Sequence, residues 1–137
     1  METNFDFKSA ICTDRFQSER LLALGLKIET ADCYLFEYEK GKYKVIVEPW
    51  EDLIADEEYY LQYKDICFPA WSLHRLLSLL PQSVKIGKNY YALAIIQNEF
   101  VRLIVDIGDI YIYFDRVGIY ESLLLCIEWL IKEGYFN

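Results

Sequence analysis

The amino-acid sequence predicts an α+β fold, in which an antiparallel sheet of about four to six strands, a hairpin plus a meander, is packed with three helices. Three segments repeat apolar residues at helical spacing between cap and stop residues, and several β-rich runs are separated by short turns. The chain has 137 residues, of which 54% are hydrophobic, enough for one sizeable core. We therefore expect a single domain over residues 1–137.

The first helix is predicted near residues 14 to 24. Asp14 can cap it, and Gln17 at its third position completes a capping box that satisfies two free backbone amides. Gly25 follows as the left-handed terminator, and Leu26 can fold back on the last turn, as Schellman endings do. The sequence therefore predicts both the first and the last residues of this helix.

The second helix is predicted near residues 72 to 80, with Ser72 as its N-cap. Its apolar face carries leucines at i, i+3, i+4 and i+7, namely Leu73, Leu76, Leu77 and Leu80. Trp71, just before the cap, can pack on Leu76 as a hydrophobic staple. We expect Trp71 and Leu76 to be buried against each other and His74 to face solvent.

The third helix is predicted near residues 119 to 133. Its main apolar stripe contains Tyr120, Leu123, Leu124, Ile127, Leu130 and Ile131, and a shorter stripe beside it contains Ser122, Leu125 and Trp129. This apolar arc is wider than a surface helix needs, so we expect burial on two sides or an interface. Glu128 and Lys132 form a favourable i, i+4 pair on the opposite side, and Gly134 ends the helix.

The strands are predicted in two groups. A tight turn at Lys40-Gly41-Lys42 precedes the β-branched run 43–47, which indicates a hairpin. The meander comprises the runs 84–87, 90–96, 100–105 and 110–114, joined by short connections. Both faces of these strands are largely apolar, so helices or a second copy of the protein should cover both.

An acidic stretch without any basic residue occupies residues 48–58. Its acids are Glu48, Glu51, Asp52, Asp56, Glu57 and Glu58. A cation site and a mimic of nucleic-acid phosphates are the two functional hypotheses. Cation loops place oxygen ligands at regular intervals around a glycine, which this stretch lacks. A solvated loop or mobile surface segment is the favoured interpretation.

Three tyrosines of the meander, Tyr90, Tyr111 and Tyr113, have Arg102 nearby on the predicted sheet. In a basic protein they would suit base stacking, but the formal charge of −8 opposes direct binding of nucleic acid and of anionic membranes. Tyrosine also suits protein recognition, because it offers a large contact area at low entropic cost. Ordinary sheet packing is an equally good explanation.

Residues that could carry catalysis lack partners in the sequence. His74 is the only histidine, and Ser78 lies one helical turn away without a nucleophile turn around it. The six glycines are scattered, so no phosphate loop is indicated. Asp106, Asp109 and Asp115 are better explained as turn formers than as magnesium ligands. We expect no catalytic residue, no metal and no cofactor, with a small hydrolase using His74 as a weaker alternative.

The cysteines and the apolar runs predict a cytoplasmic protein. Four cysteines, Cys12, Cys33, Cys67 and Cys126, lie far apart among apolar neighbours, as expected of reduced, buried thiols. The chain opens without the basic and then apolar stretch of a secretory signal. No apolar run approaches the roughly 20 residues of a membrane span.

Three stretches carry a family resemblance. They are Gln17-Ser18-Glu19-Arg20-Leu21-Leu22-Ala23-Leu24-Gly25-Leu26 followed by Glu29-Thr30-Ala31-Asp32, then Pro69-Ala70-Trp71-Ser72-Leu73 with Leu76-Leu77 and Leu80-Pro81, and Glu128-Trp129-Leu130-Ile131-Lys132-Glu133-Gly134. Together they resemble small uncharacterised proteins carried by prophages and mobile elements of gut Bacteroidetes. That group has no assigned activity, so the resemblance implies a mobile-element setting and transfers no functional residue. This chain departs from the pattern in its longer, tyrosine-rich β region.

These observations favour a non-enzymatic protein–protein interaction module, whose partner is an unknown protein or a second copy of the chain in a homodimer. The expected interaction surface comprises Tyr90, Tyr111, Tyr113, Trp129, Glu51, Asp52, Asp56, Glu57 and Glu58. The alternative is an acidic decoy or inhibitor that occupies a host nucleic-acid-binding or defence protein through the acids of residues 48–58.

Overall fold

The computed structural model describes residues 10–86, 89–96, 100–105, 111–115 and 118–135, with side chains for residues 10–85 and 118–135. Within these ranges the α-helices are α1 (Arg15–Ala23), α2 (Trp50–Ala55), α3 (Glu57–Tyr63), α4 (Leu73–Leu79) and α5 (Ile119–Lys132). The strands are β1 (Cys33–Glu39), β2 (Lys42–Ile46), β3 (Cys67–Ala70), β4 (Ser83–Ile86), β5 (Asn89–Ile96), β6 (Phe100–Val105) and β7 (Tyr111–Asp115). Short 3-10 turns occupy Ile28–Thr30 and Lys64–Ile66.

The strands divide between two antiparallel sheets, ordered β2-β1-β3 and β4-β5-β6-β7. The predicted α+β class is confirmed, whereas the prediction of one sheet is wrong. The hairpin belongs to the first sheet, and the meander makes the second by itself. The sequence interpretation missed β3, which contains Pro69 and pairs with β1. Proline is tolerated there because β3 is an edge strand.

The acidic stretch is helical, so the prediction of a solvated loop is wrong, and five α-helices are described rather than three. Pro49 can occupy the N-cap of α2, because the start of a helix needs no amide donor, and its carbonyl accepts from the amides of Asp52 and Leu53. Asp56 caps α3 by accepting a hydrogen bond from the Tyr59 amide at 3.3 Å. Trp50 and Leu53, one turn apart, are buried and anchor α2. The acids fall in the first turns, where the helix dipole favours negative charge.

The predicted ends of the first helix are confirmed. The Asp14 carboxylate accepts from the Gln17 amide at 2.7 Å, and the Gln17 side chain accepts from the Asp14 amide at 3.0 Å. At the other end Gly25 has a φ of 101°, and the Leu26 amide donates to the Leu21 carbonyl at 3.1 Å. This is the Schellman ending that the glycine predicts.

Helix α5 is buried on two sides, between α1 and the strands β6 and β7. Its buried residues are Tyr120, Ser122, Leu123, Leu124, Cys126, Ile127 and Leu130. Of the two explanations for the wide apolar arc, internal burial is the one observed. Arg20 of α1 donates to the Glu121 carboxylate of α5 at 2.7 Å. The predicted ion pair of Glu128 with Lys132 is also present, at 2.7 Å.

Five residues from distant parts of the chain meet in a hydrogen-bonded cluster, here called the joint: Thr13, Thr30, Asp32, Trp71 and Ser72. The Trp71 indole nitrogen donates to the Thr30 hydroxyl at 2.9 Å, and the Trp71 amide donates to the Thr13 hydroxyl at 3.1 Å. Asp32 accepts from the Ser72 amide at 2.8 Å and from the Ser72 hydroxyl. The joint therefore fastens β3 and the start of α4 to the segments before α1 and before β1.

The start of helix α4 is held by the joint, because Ser72 belongs to both. The Ser72 hydroxyl accepts from the Arg75 amide at 3.1 Å, which confirms the predicted N-cap. Trp71 and Leu76 are both fully buried in one hydrophobic cluster, which confirms their predicted burial, and His74 is exposed, as predicted. Direct packing of the two side chains on each other stays a prediction.

Candidate functional site

An open groove of about 480 Å³ lies on the first sheet beside α3, and we call it the aromatic groove. Phe36, Tyr38, Lys44, Ile46 and Tyr59 line it. Phe36 of β1 and Lys44 of β2 are cross-strand neighbours, so the sheet forms the floor. Tyr59 comes from α3 and forms a wall. The groove is therefore built from two regular elements, the β1–β2 hairpin and α3.

Aromatic contacts fix one side of this groove. The rings of Phe36 and Tyr63 meet edge to face with centroids 5.5 Å apart. Tyr59 and Tyr63 have ring centroids 4.7 Å apart. Tyr38, by contrast, is 60% exposed. An ordered aromatic wall next to an uncovered aromatic ring is a surface on which a partner can bury apolar area.

The strand β2 forms one edge of the groove and of the first sheet. Val47, directly after the strand, is 71% exposed. Lys42 pairs with Glu39 at 3.1 Å. Lys40 and Lys44 are exposed and form no ion pair within the described residues. The edge thus carries uncompensated positive charge in a chain whose formal charge is −8.

The predicted acidic residues lie next to this groove. Glu51, Asp52, Asp56, Glu57 and Glu58 are all exposed, on α2 and α3 or between them, and none forms an ion pair within the described residues. A smaller cavity of about 230 Å³ lies among Tyr34, Glu48, Asp52, Leu53, Asp56 and Tyr59. It shares Tyr59 with the aromatic groove, so an aromatic surface and an acidic surface adjoin.

Tyr34 is a buried residue that lines this smaller cavity. Burial raises the pKa of its hydroxyl, and the neighbouring Tyr59 and the Glu48 carboxylate raise it further. Tyr34 therefore stays neutral near pH 7 and adds no charge to the cavity. Among the described residues, no group of three or more His, Cys, Asp or Glu is arranged to hold a metal ion.

The three tyrosines predicted for the interaction surface lie on β5 and β7 of the second sheet. The backbone register places Tyr90 opposite Lys85 and Tyr113 opposite Arg102. The side chains of Tyr90, Tyr111 and Tyr113 lie outside the described residues. The acids predicted to share their surface lie elsewhere, on α2 and α3 or between them, and Asp52 and Asp56 line a cavity with Tyr34 of the first sheet.

Trp129 is half-buried on α5, with its ring centroid 5.6 Å from that of Tyr135. Part of the indole therefore contacts Tyr135, which lies just after α5. Trp129 does not line the aromatic groove.

The geometry around His74 contains no described hydrolytic pair. His74 is exposed on α4, and the Ser78 hydroxyl donates to the Arg75 carbonyl at 2.7 Å. The serine is thus engaged by its own helix. Asp106 and Asp109 and the side chain of Asp115, considered above as magnesium ligands, lie outside the described residues.

All four cysteines are buried and free, as the sequence predicts. Burial raises the pKa of Cys126 to about 12. Burial and the nearby Asp32 carboxylate raise the pKa of Cys12 to about 11 and that of Cys33 to about 12. Burial also raises the pKa of Cys67. These thiols are protonated near pH 7 and behave as small apolar groups.

The sequence interpretation missed the residues that line the aromatic groove. Tyr34, Phe36 and Tyr38 alternate along β1, and this alternation is the signal that places them on one face of a strand. Residues 30–34 fit a short helical turn capped by Thr30 as well as the start of a strand, so the sequence alone does not assign this face. The helical spacing of Tyr59 and Tyr63 was concealed by the acidic run before them.

No protein-family model, curated protein or solved structure matches this chain. In the part of the chain that the structure describes, the helices are too short or too polar to cross a membrane.

Proposed function

We propose that this chain is a small, cytoplasmic, non-enzymatic protein of mobile-element origin that acts by binding another protein through the aromatic groove. The observation that carries the proposal is the groove itself, where Tyr38 is 60% exposed beside an ordered aromatic wall. Large exposed aromatic rings beside a groove are typical of protein recognition surfaces. The four buried thiols support a reducing compartment. The resemblance described above supports the mobile-element origin.

The aromatic groove replaces one surface that the sequence favoured, the wide apolar arc of α5. Most of the main apolar stripe of α5 is buried inside the protein, and Trp129 of the shorter stripe is half-buried. The first sheet, in contrast, leaves part of its α3-side face open at the groove. The binding surface therefore moves from the final helix to β1 and β2.

Site-specific photo-crosslinking tests the proposal. A photoreactive phenylalanine analogue replaces Tyr38 in one variant and His74, an exposed residue on α4, in the matched control. In a lysate of the host cell we expect a discrete adduct from position 38 that excess unmodified protein competes away. An adduct of twice the chain's mass would identify a homodimer. Equal labelling from both positions, or none from position 38, would contradict the proposal.

The second candidate function, an acidic decoy for a nucleic-acid-binding protein, is favoured by one observation. The acids of α2 and α3 are exposed and lack cationic partners within the described residues. Two short, anchored helices hold these charges in place, whereas a loop would not. A surface of fixed negative charge attracts a basic partner, and salt weakens that attraction.

Charge neutralisation tests the decoy. The variant carries Glu51→Gln, Asp52→Asn, Glu57→Gln and Glu58→Gln, and it leaves Asp56 unchanged because Asp56 caps α3. The control carries Glu29→Gln, Asp65→Asn and Glu133→Gln at exposed positions elsewhere. A decoy should lose capture of a basic, nucleic-acid-binding partner only in the first variant, and rising salt should release that partner. Capture that survives neutralisation would eliminate this candidate.

A further inference from the structure

The strand β2 lies at one edge of the first sheet. The first sheet has the order β2-β1-β3, so within the described residues β2 has a hydrogen-bonded neighbour on one side only. An edge strand presents unpaired backbone groups that can accept another extended segment. Val47, immediately after β2, is 71% exposed and continues this open edge.

The side chains along β2 alternate in chemistry. Lys44 and Ile46 lie opposite Phe36 and Tyr34 and line or border the aromatic groove. Tyr43 and Val45 lie on the opposite face and pack against the cluster around Leu35. A strand added to β2 would therefore meet Lys44 and Ile46 on the groove face and Tyr43 and Val45 on the other face.

The positive charge along β2 favours an acidic strand of a partner over a second copy of this chain. The pair Lys42–Glu39 is more than 60% exposed at both ends, so it contributes little to either partner. Lys44 has no ionic partner within the described residues. A second copy pairing antiparallel about Tyr43 or Lys44 would place lysine directly opposite lysine, which is destabilising. An acidic strand would place opposite charges there instead.

We propose that β2 binds, by strand addition, an extended segment of a partner protein in which acidic residues alternate with apolar residues. The acidic residues lie beside Lys42 and Lys44, and the apolar residues lie beside Tyr43 and Val45. Lysines on an edge strand also deter aggregation between sheets. That role accounts for the charge but leaves the exposed aromatic groove beside it unexplained. The inference rests on the proposed function and specifies the partner's chemistry.

Peptide titration followed by amide NMR tests the inference on the full chain. The probe is an acetylated peptide of about eight residues that alternates glutamate and valine, and its counterpart alternates lysine and valine. The variant is Lys42→Glu with Lys44→Glu, and the matched control is Lys27→Glu, an exposed lysine before the first 3-10 turn.

We expect the glutamate peptide to shift the amides of residues 42–47 and the double variant to weaken its binding by about tenfold or more, since opposed like charges destabilise a strand pair. Lys27→Glu should change nothing, and the lysine peptide should bind the double variant, which shows that the variant is folded. Absence of binding, shifts confined to other elements, or equal binding of both peptides would overturn the inference.

The crosslinking experiment separates this inference from the proposed function. A crosslink from position 38 without peptide binding would overturn this inference alone. Peptide binding at β2 without any crosslink from position 38 would overturn the proposed function.

Discussion

The joint and the aromatic groove both involve the first sheet or residues beside it. They differ in how far their side chains are buried and in how many of their polar groups have partners. In the joint, Trp71 is fully buried, and its indole and amide nitrogens both donate hydrogen bonds. In the groove, Tyr38 is 60% exposed and Lys44 has no ionic partner in the described part of the chain. The side chains of the joint therefore find their partners inside the protein, whereas Tyr38 and Lys44 of the groove remain available to another molecule.

This difference suggests that the joint stabilises the fold and that the groove binds a partner. A buried, fully bonded network is costly to break, because each deleted group leaves a partner unsatisfied. An exposed aromatic groove contributes little to folding, but a partner that covers it gains apolar burial. The stretch around Trp71, despite its histidine and serine, therefore belongs to the folding of the protein.

The largest expected effect comes from removing the centre of the joint. Trp71→Ala should lower the free energy of unfolding by about 3–5 kcal/mol, since a fully buried aromatic ring is lost. Denaturant unfolding followed by circular dichroism measures this change. Tyr38→Ala is the matched comparison in the groove, and a loss as large as that of Trp71→Ala there would remove the distinction between the two regions.

Alkaline pH probes the buried side of the comparison. The pKa of Cys33, beside the joint, is raised from 9.0 to about 12 by burial and by the Asp32 carboxylate. The folded state therefore holds this proton more tightly than the unfolded state, and its contribution to stability is complete below pH 9 and is lost as pH rises toward 12. Cys33→Ala should make the fall in stability above pH 9 shallower, by up to about 1.4 kcal/mol per pH unit. An unchanged slope in unfolding curves between these pH values would show that the thiol is not held protonated by the fold.

A smaller effect is expected at the start of α4. Ser72→Ala removes the N-cap and one hydroxyl donor to Asp32, so it should cost about 0.5–2 kcal/mol. The adjacent control His74→Ala is exposed and should change stability by less than about 0.5 kcal/mol. His74→Ala should also leave every activity in a broad hydrolase screen unchanged. Loss of a hydrolytic activity in that variant would restore the enzymatic alternative.

The smallest effect on folding is expected at the edge of the groove. Lys44→Glu should change the free energy of unfolding by less than about 0.5 kcal/mol, because Lys44 is exposed and unpaired within the described residues. The same variant should reduce crosslinking from position 38. If Lys44→Glu were destabilised and still crosslinked fully, Lys44 would contribute to folding and not to partner binding, contrary to our account.

The sequence predicts those parts of the fold that depend on local signals. The capping box at Asp14 and Gln17, the cap at Ser72 and the hairpin turn at Gly41 are set by residues close in the chain. The division into two sheets depends on the pairing of β1 with β3, about thirty residues later, which no local pattern encodes.

The groove escaped prediction for a similar reason. Its floor is formed by Phe36 and Lys44, and its wall comes from Tyr59 on a helix whose acidic start looked like a solvated run. Only tertiary packing brings these residues together. The acids, which the sequence did identify, turned out to be exposed on helices beside the groove.

Amide hydrogen exchange of the complex tests the central claim most directly. The protein is measured free and bound to the partner that crosslinks from position 38. We predict slower exchange at residues 42–47 of β2 and its exposed end, with unchanged exchange at residues 72–80 around α4. Protection of α4 with no change at β2 would contradict the claim that the groove and its open edge, rather than the joint, form the binding surface.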